Sequence, residues 1–314
     1  MNAMRFRTKR FDQQAIGYHY DLSNDFYACF LDPRMVYTCA YYRRPDGDLA
    51  TAQEDKLDLV CRKLDLKPGE RLLDVGCGWG ALVLWAAERY GVEAHGVTLS
   101  KAQAEWAQAA IRRAGLGARA RVEYRDWRDL PPSARYDKVA AIGVIEHVGP
   151  RNTPAYLAAV WERLAPGGLF LNHGITHEKG WRYTGMSRFL ERYVFPNGEL
   201  QNVSDTLDAV ERARFEVLDV ENLRPHYART TRQWAERLMA NADTARALVG
   251  ERAFRIWLAY LASSSAAFGQ GTIGLYQTLA RRPAAAAAPL APSTRERWYA
   301  PRAAAAGAAV REAG

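Results

Sequence analysis

The sequence predicts an α/β domain, doubly wound about a mostly parallel seven-stranded sheet, with a helical lid inserted late in the chain. Three observations predict it. Between about residues 51 and 175, short apolar runs alternate with stretches of helical periodicity. The joins are short and rich in glycine. One join, Gly76-Cys77-Gly78-Trp79-Gly80, sets glycine at every second residue directly after an apolar run.

The elements follow in order. Leu57, Val60, Cys61 and Leu64 recur at helical spacing, and Lys67-Pro68-Gly69 breaks that helix. Residues 71–75 form a first strand that runs into the glycine turn. Residues 81–90 form a helix that Gly91 ends. Strand 93–97 is followed by Ser100, a capping residue for helix 101–114. Strands 121–124 and 136–142 come next. Helix 153–164 turns through Pro166-Gly167-Gly168 into strand 169–173. Beyond residue 175 the alternation stops. A helix-rich stretch covers 183–208, a sixth strand 215–220, two helices 231–248 and 251–268, and a last strand 272–279. The expected organisation is an N-terminal helical segment over the active site (1–50) and a catalytic domain (51–280) carrying a helical insertion at about 176–213. From Arg281 onward a tail of Ala, Pro and Arg reads as disordered.

Composition excludes several classes. Hydrophobic residues make up 48% of the 314, enough for a full core. No run reaches the ~18–20 apolar residues of a membrane span. The N-terminal MNAMRFRTKR has no apolar region of the secretory type, so a cytoplasmic location is expected. Cys29, Cys39, Cys61 and Cys77 have neither metal-ligand spacing nor disulfide density. The net charge of +8 sits at the ends, on Arg5, Arg7, Lys9 and Arg10 and on six arginines against two glutamates after residue 280. A nucleic-acid enzyme carries such charge on a folded face, so no nucleic-acid partner is expected. Basic ends suit peripheral contact with an anionic membrane surface.

The glycine join is the most specific segment. An apolar strand delivers Asp74, and alternating glycines let the backbone approach a ligand closely. The next helix turns its first amides to the same place. A dinucleotide site would instead show G-x-G-x-x-G and an acid after the second strand. Here that strand ends Gly96-Val97-Thr98-Leu99-Ser100.

LDVGCGWG (73–80) resembles the first motif of class I S-adenosylmethionine methyltransferases, a Rossmann-like fold. With YHYDLSNDFY (18–27), YTCAYY (37–42), GVTLSKAQ (96–103), EHVGP (146–150), FLNHGI (170–175) and RYVFPNGEL (192–200), the chain resembles the cyclopropane-fatty-acyl-phospholipid synthase family, which includes the mycolic acid cyclopropane synthases. The resemblance implies S-adenosyl-L-methionine as cofactor. It places Tyr37 and Thr38 at the methionine end, with Asp74, Gly76 and Gly78 beneath the cofactor. Thr98, Leu99 and Gln103 fall at the ribose, and Asp126 and Trp127 at the adenine.

The resemblance also implies the chemistry. The nucleophile is the double bond of an unsaturated acyl chain of a membrane phospholipid. It attacks the sulfonium methyl group, and a base then removes a methyl proton to close a cyclopropane ring. Relatives hold a bicarbonate ion as that base, and the matching positions are Cys39, Glu146, His173, Ile175 and Tyr227. Gly174 stands where relatives often carry Thr. Read from residue type alone, Cys39 is a small buried hydrophobe, Glu146 a helix-capping acid, His173 a core histidine, and Tyr227 and Trp127 packing aromatics. The family uses no metal, so none is expected from His147, His173 and His177. Methyl or methylene branching without ring closure, and methylation of a small molecule, stay open, as does a homodimer. Phe189, Leu190, Tyr193, Val194 and Phe195 are too apolar for a free surface and are expected to wall an acyl tunnel.

Overall fold

The computed structural model describes residues 22–195, 198–284 and 294–300. The strands are β1 (Arg71–Val75), β2 (Glu93–Thr98), β3 (Ala120–Tyr124), β4 (Tyr136–Ile142), β5 (Leu164–His177), β6 (Glu216–Asn222) and β7 (Ile273–Arg281). They form one sheet in the order β3-β2-β1-β4-β5-β7-β6. The first five pair parallel, and β7 runs antiparallel between β5 and β6. The doubly wound, mostly parallel seven-stranded sheet is therefore as expected. Central β1 and β4 are buried along nearly their whole length, as strands covered on both faces must be.

Helices α1 (Asn24–Ala28), α2 (Leu49–Lys63), α3 (Ala81–Tyr90) and α4 (Lys101–Arg113) come first. Then follow α5 (Ile145–Val148), α6 (Thr153–Arg163), α7 (Gly185–Tyr193), α8 (Val203–Arg212), α9 (Arg224–Ala240), α10 (Ala242–Gln270) and α11 (Glu296–Tyr299). One face of the sheet is covered by α2, α3 and α4 through Leu57, Val60, Trp85, Ala104 and Ile111. The other is covered by α6 and α8 through Tyr156, Leu157, Val160 and Val210. The Ser100 hydroxyl caps α4 by accepting from Gln103 N.

A third apolar cluster closes the carboxyl edge. Phe26, Tyr27 and Phe30 meet Trp234 and Leu238 of α9 and Phe254, Trp257 and Tyr260 of α10. Trp257 stands edge-on to Phe26 at 5.4 Å. Polar ties fix the same junction. Arg237 donates to the carbonyls of Phe30 and Leu31 at 2.9 and 2.8 Å, and Asn241 to that of Cys29 at 2.8 Å. The described part of the N-terminal segment is thus welded to α9 and α10 over the strand ends. Its residues 1–21, with the basic cluster and Tyr18, lie outside the described residues.

Four expectations need correction. First, Pro166-Gly167-Gly168 is no free turn. β5 already pairs at Leu164 with Tyr136, and the extra residues are a bulge before Leu169 meets Lys138. Second, α8 lies on the sheet against α6, so the insertion proper is the stretch between β5 and α8. Third, the late helices break at Asn241 as well as at Gly250, whose φ of 78° and ψ of 162° are not helical. Fourth, Arg281 closes β7 opposite Leu169 and Glu216 rather than opening a tail. Residues 296–299 form α11, with Trp298 buried on the α2 face of the core. Arg295 reaches Asp219 at 2.6 Å, and Arg43 donates to the Tyr299 carbonyl at 2.9 Å. Residues 285–293 and 301–314 lie outside the described residues. Among the described residues no helix is long and apolar enough to cross a membrane.

Candidate active site

The carboxyl ends of β1, β4 and β5 open into a cavity of about 1050 Å³. This is where open α/β sheets bind ligands. Eleven of the fifteen cofactor and catalytic candidates line it: Tyr37, Thr38, Cys39, Asp74, Gly76, Gly78, Gln103, Glu146, His173, Ile175 and Tyr227. Thr98, Leu99, Asp126 and Trp127 are not among its lining residues. Thr98 donates its hydroxyl to Gln103 Oε1 at 2.7 Å, so it reaches the cavity only through that neighbour. Asp126 is paired with Arg128 at 2.6 Å. Trp127 stands edge-on to Tyr156 at 5.2 Å.

At one end of the cavity the glycine turn is bare. Gly78 has a φ of 55°, and a Cβ built on it would meet nothing within 4 Å. Both facts suit a backbone that a ligand must approach. Asp74 beside it is buried, which pushes its carboxyl up to about 7 against the pull of nearby Lys56. Lys56 is itself buried, and burial lowers its ammonium to about 8. Its Nζ donates to Thr38 Oγ1 at 3.0 Å. Lys56 was not anticipated. Its signal was available, because Gln53, Lys56, Leu57 and Val60 share one buried stripe of α2 and a lysine stands among them. Tyr37 donates to, or accepts from, the Tyr260 hydroxyl at 3.1 Å across the cavity wall.

An acid and an imidazole both line the cavity. Glu146 lies on α5 and is 7% exposed. Its Oε1 accepts the Ile175 N–H at 2.7 Å, so it caps no helix. Burial pushes its carboxyl up to about 7, opposed by that hydrogen bond. His173 ends the β4–β5 pairing and is 1% exposed. Burial, with Lys56 and Lys63 nearby, holds its imidazole neutral, well below its ordinary value. Among the described residues Glu146 Oε2 and His173 Nε2 have no hydrogen-bond partner. Both residues line the cavity, and each leaves one polar atom that a small hydrogen-bonding guest could satisfy. Cys39 is a poor nucleophile, since burial raises its thiol far above neutrality. Tyr227 packs its ring 4.5 Å from Phe268 and still reaches the cavity. A Cβ on Gly174 would fall 2.5 Å from Ile145 Cγ2, so the bulk of Ile145 accounts for glycine there.

The remaining wall mixes apolar side chains with charged ones such as Glu178, Arg182 and Glu191. Leu190 and Phe195 line it, with Trp181, Tyr183 and Met186 at the exposed end. Phe189 and Tyr193 pack against the third cluster, and Val194 is buried within it. Among the described residues no group of three or more His, Cys, Asp and Glu side chains is placed to hold a metal.

The bare glycine turn, the acid near the end of β1 and the room above them fit S-adenosylmethionine, which Tyr37, Thr38, Asp74, Gly76, Gly78 and Gln103 would hold. A folded Gly78→Val variant is expected to lose at least about tenfold in cofactor affinity by calorimetry, because a branched side chain enters the cavity and φ is strained. Unchanged affinity would place the cofactor elsewhere.

Comparisons with known proteins agree with this geometry. The chain is 45% identical over 298 residues to a Pseudomonas putida protein named "Probable fatty acid methyltransferase", covering 94% of this chain and 76% of that one. It is 34% identical over 273 residues to sphingolipid C9-methyltransferase A of Emericella nidulans, covering 85% of this chain but only 53% of that relative. Mycolic acid cyclopropane synthase CmaA1, solved with SAH and CTAB, superposes with a TM-score of 0.81 at 35% identity, covering 86% of this chain and 98% of that one. The family model of mycolic acid cyclopropane synthetase matches residues 7–278. The chain belongs to that family and is an S-adenosylmethionine-dependent methyltransferase.

Proposed function

We propose that the enzyme methylates the double bond of an unsaturated phospholipid acyl chain and closes a cyclopropane ring. The carrying observation is one cavity whose lining includes Glu146 and His173, each with an orphaned polar atom, together with the exposed Trp181, Tyr183 and Met186. S-adenosylmethionine supplies the electrophilic methyl group. An alkene needs no deprotonation to attack, but it is a weak nucleophile. Alignment and exclusion of water must therefore carry much of the rate. The third apolar cluster and the wall from Leu190 to Phe195 supply both.

Glu146 Oε2 and His173 Nε2, with Tyr227 and the Cys39–Ile175 wall, would hold a bicarbonate ion as the proton acceptor. Near neutral pH Glu146 can keep a proton to share with that anion, which removes the repulsion of two negative charges. The test supplies methyl-labelled cofactor with vesicles of unsaturated or saturated phospholipid. Label in the unsaturated lipid alone supports the reading. Label in neither, or equally in both, overturns it. The likeness to a sphingolipid methyltransferase favours one second reading, methyl branching without a ring. Ring-sensitive chemistry on the labelled lipid separates the two.

The same reading supplies a partner. Residues 178–186 are all exposed, and Trp181, Tyr183 and Met186 are 37, 51 and 44% exposed at the cavity mouth. Lys179 and Arg182 lie in this segment and Arg188 and Arg192 just beyond it, with Glu178 and Glu191 among them. Amphipathic rings with basic neighbours seat at an anionic bilayer surface, each cation adding about 1 kcal/mol. Serine at positions 181, 183 and 186 together is expected to weaken binding to anionic vesicles at least about tenfold in sedimentation assays. Undiminished binding would contradict this docking face.

A further inference from the structure

His173 can serve an anion only if its cavity-facing nitrogen carries a hydrogen, and a neutral imidazole has one hydrogen for two nitrogens. Which nitrogen holds it is decided by the partner of the other. That partner is Gln277, directly opposite His173 in the β5–β7 register. Gln277 is 0% exposed and does not line the cavity. Its Nε2 lies 3.1 Å from His173 Nδ1. We propose that Gln277 is a positioning residue, whose amide donates to His173 Nδ1 and so fixes the tautomer that presents Nε2–H to the cavity.

The surroundings support this arrangement. Gln277 sits in a strand where Leu275, Leu279 and Ala280 are buried and apolar and Thr278 is buried beside it. A buried amide is costly there unless its hydrogen bonds return the loss. Its Oε1 has no partner among the described residues, so the bond to His173 is the side chain's one polar contact among them. Lys63 stands near His173 and is engaged by Asp219 at 3.2 Å. Burial of the ring, with Lys56 and Lys63 nearby, opposes a second ring proton, so the tautomer, and not imidazolium formation, sets what His173 offers. This inference rests on the reading that His173 holds the proton-accepting anion.

The test uses full-length enzyme with ¹⁵N-labelled histidine, its His173 resonances assigned by difference from His173→Gln. In the wild type the ring spectrum is expected to show a protonated Nε2 and a bare Nδ1. Gln277→Leu should mix the tautomers and lower kcat roughly 10- to 100-fold, with the KM for cofactor little changed. Gln277→Glu is the discriminating variant. Its ionised carboxylate accepts from Nδ1–H and turns Nε2 into an acceptor, whereas its protonated form donates as glutamine does. Its activity relative to wild type should therefore rise as pH falls, which a merely space-filling role would not produce. A wild-type ring spectrum in Gln277→Leu overturns the inference and leaves the reading of the site intact. A shifted spectrum with wild-type kcat upholds the tautomer and overturns the role of His173 in the reaction.

Discussion

Glu146→Gln is expected to lower turnover by roughly 100- to 10,000-fold, the range of a lost proton-transfer group. Glutamine keeps the shape and can still accept the Ile175 N–H. What it loses is the carboxyl that burial raises to about 7. Cofactor affinity should hold, because Glu146 is assigned no cofactor contact. Stability gives an independent sign. Unfolded glutamate ionises near ~4.3, whereas burial holds folded Glu146 to about 7. Between these values the folded chain keeps a proton that the unfolded chain has lost, so stability falls as pH rises through the window. Glutamine removes that penalty. At pH 8 the variant should melt no lower than wild type, and Asp74, raised to the same region, should retain its own share of the pH dependence. A variant that melts earlier and turns over normally would make Glu146 a structural acid.

Trp234→Ala is expected to cost about 3–5 kcal/mol, read as a shift in the denaturation midpoint at unchanged slope. Trp234 is fully buried where α9 meets the N-terminal segment, 5.1 Å from Tyr37 and 6.0 Å from Tyr227. Its loss should also loosen two cavity walls, so turnover should fall with stability. Trp234→Phe should cost far less. It keeps much of the apolar volume and removes an indole N–H that has no partner among the described residues. A loss under about 1 kcal/mol for the alanine variant would mean that Trp234 does not hold the N-terminal segment to α9.

The parts of the fold that were legible in sequence are those set by local rules. The glycine turn at 76–80, the cap at Ser100 and the stop at Gly91 are decided by neighbouring residues, and each stands where expected. The break at Gly250 is of the same kind. The illegible parts depend on distant partners. Nothing near Leu164 announces that β5 begins there, since Tyr136 of another strand decides it. Trp298 reads as a stray aromatic in an Ala-rich segment, and only the core beneath it explains its burial. Among site residues, Glu146 and His173 were found through motifs and both line the one cavity. Lys56 and Gln277 carried a weaker mark, a polar residue on a buried stripe or strand. That mark tells that a partner exists but not which one.

The most direct measurement is lipid mass spectrometry on a host expressing the wild-type chain beside one expressing Glu146→Gln. With the wild type, unsaturated phospholipid chains should gain the mass of one methylene and give ring-derived products under ring-sensitive chemistry. The Glu146→Gln host should show little of either. Unchanged unsaturated lipids in a host that holds folded, cofactor-binding wild-type enzyme would contradict methyl transfer to an acyl double bond.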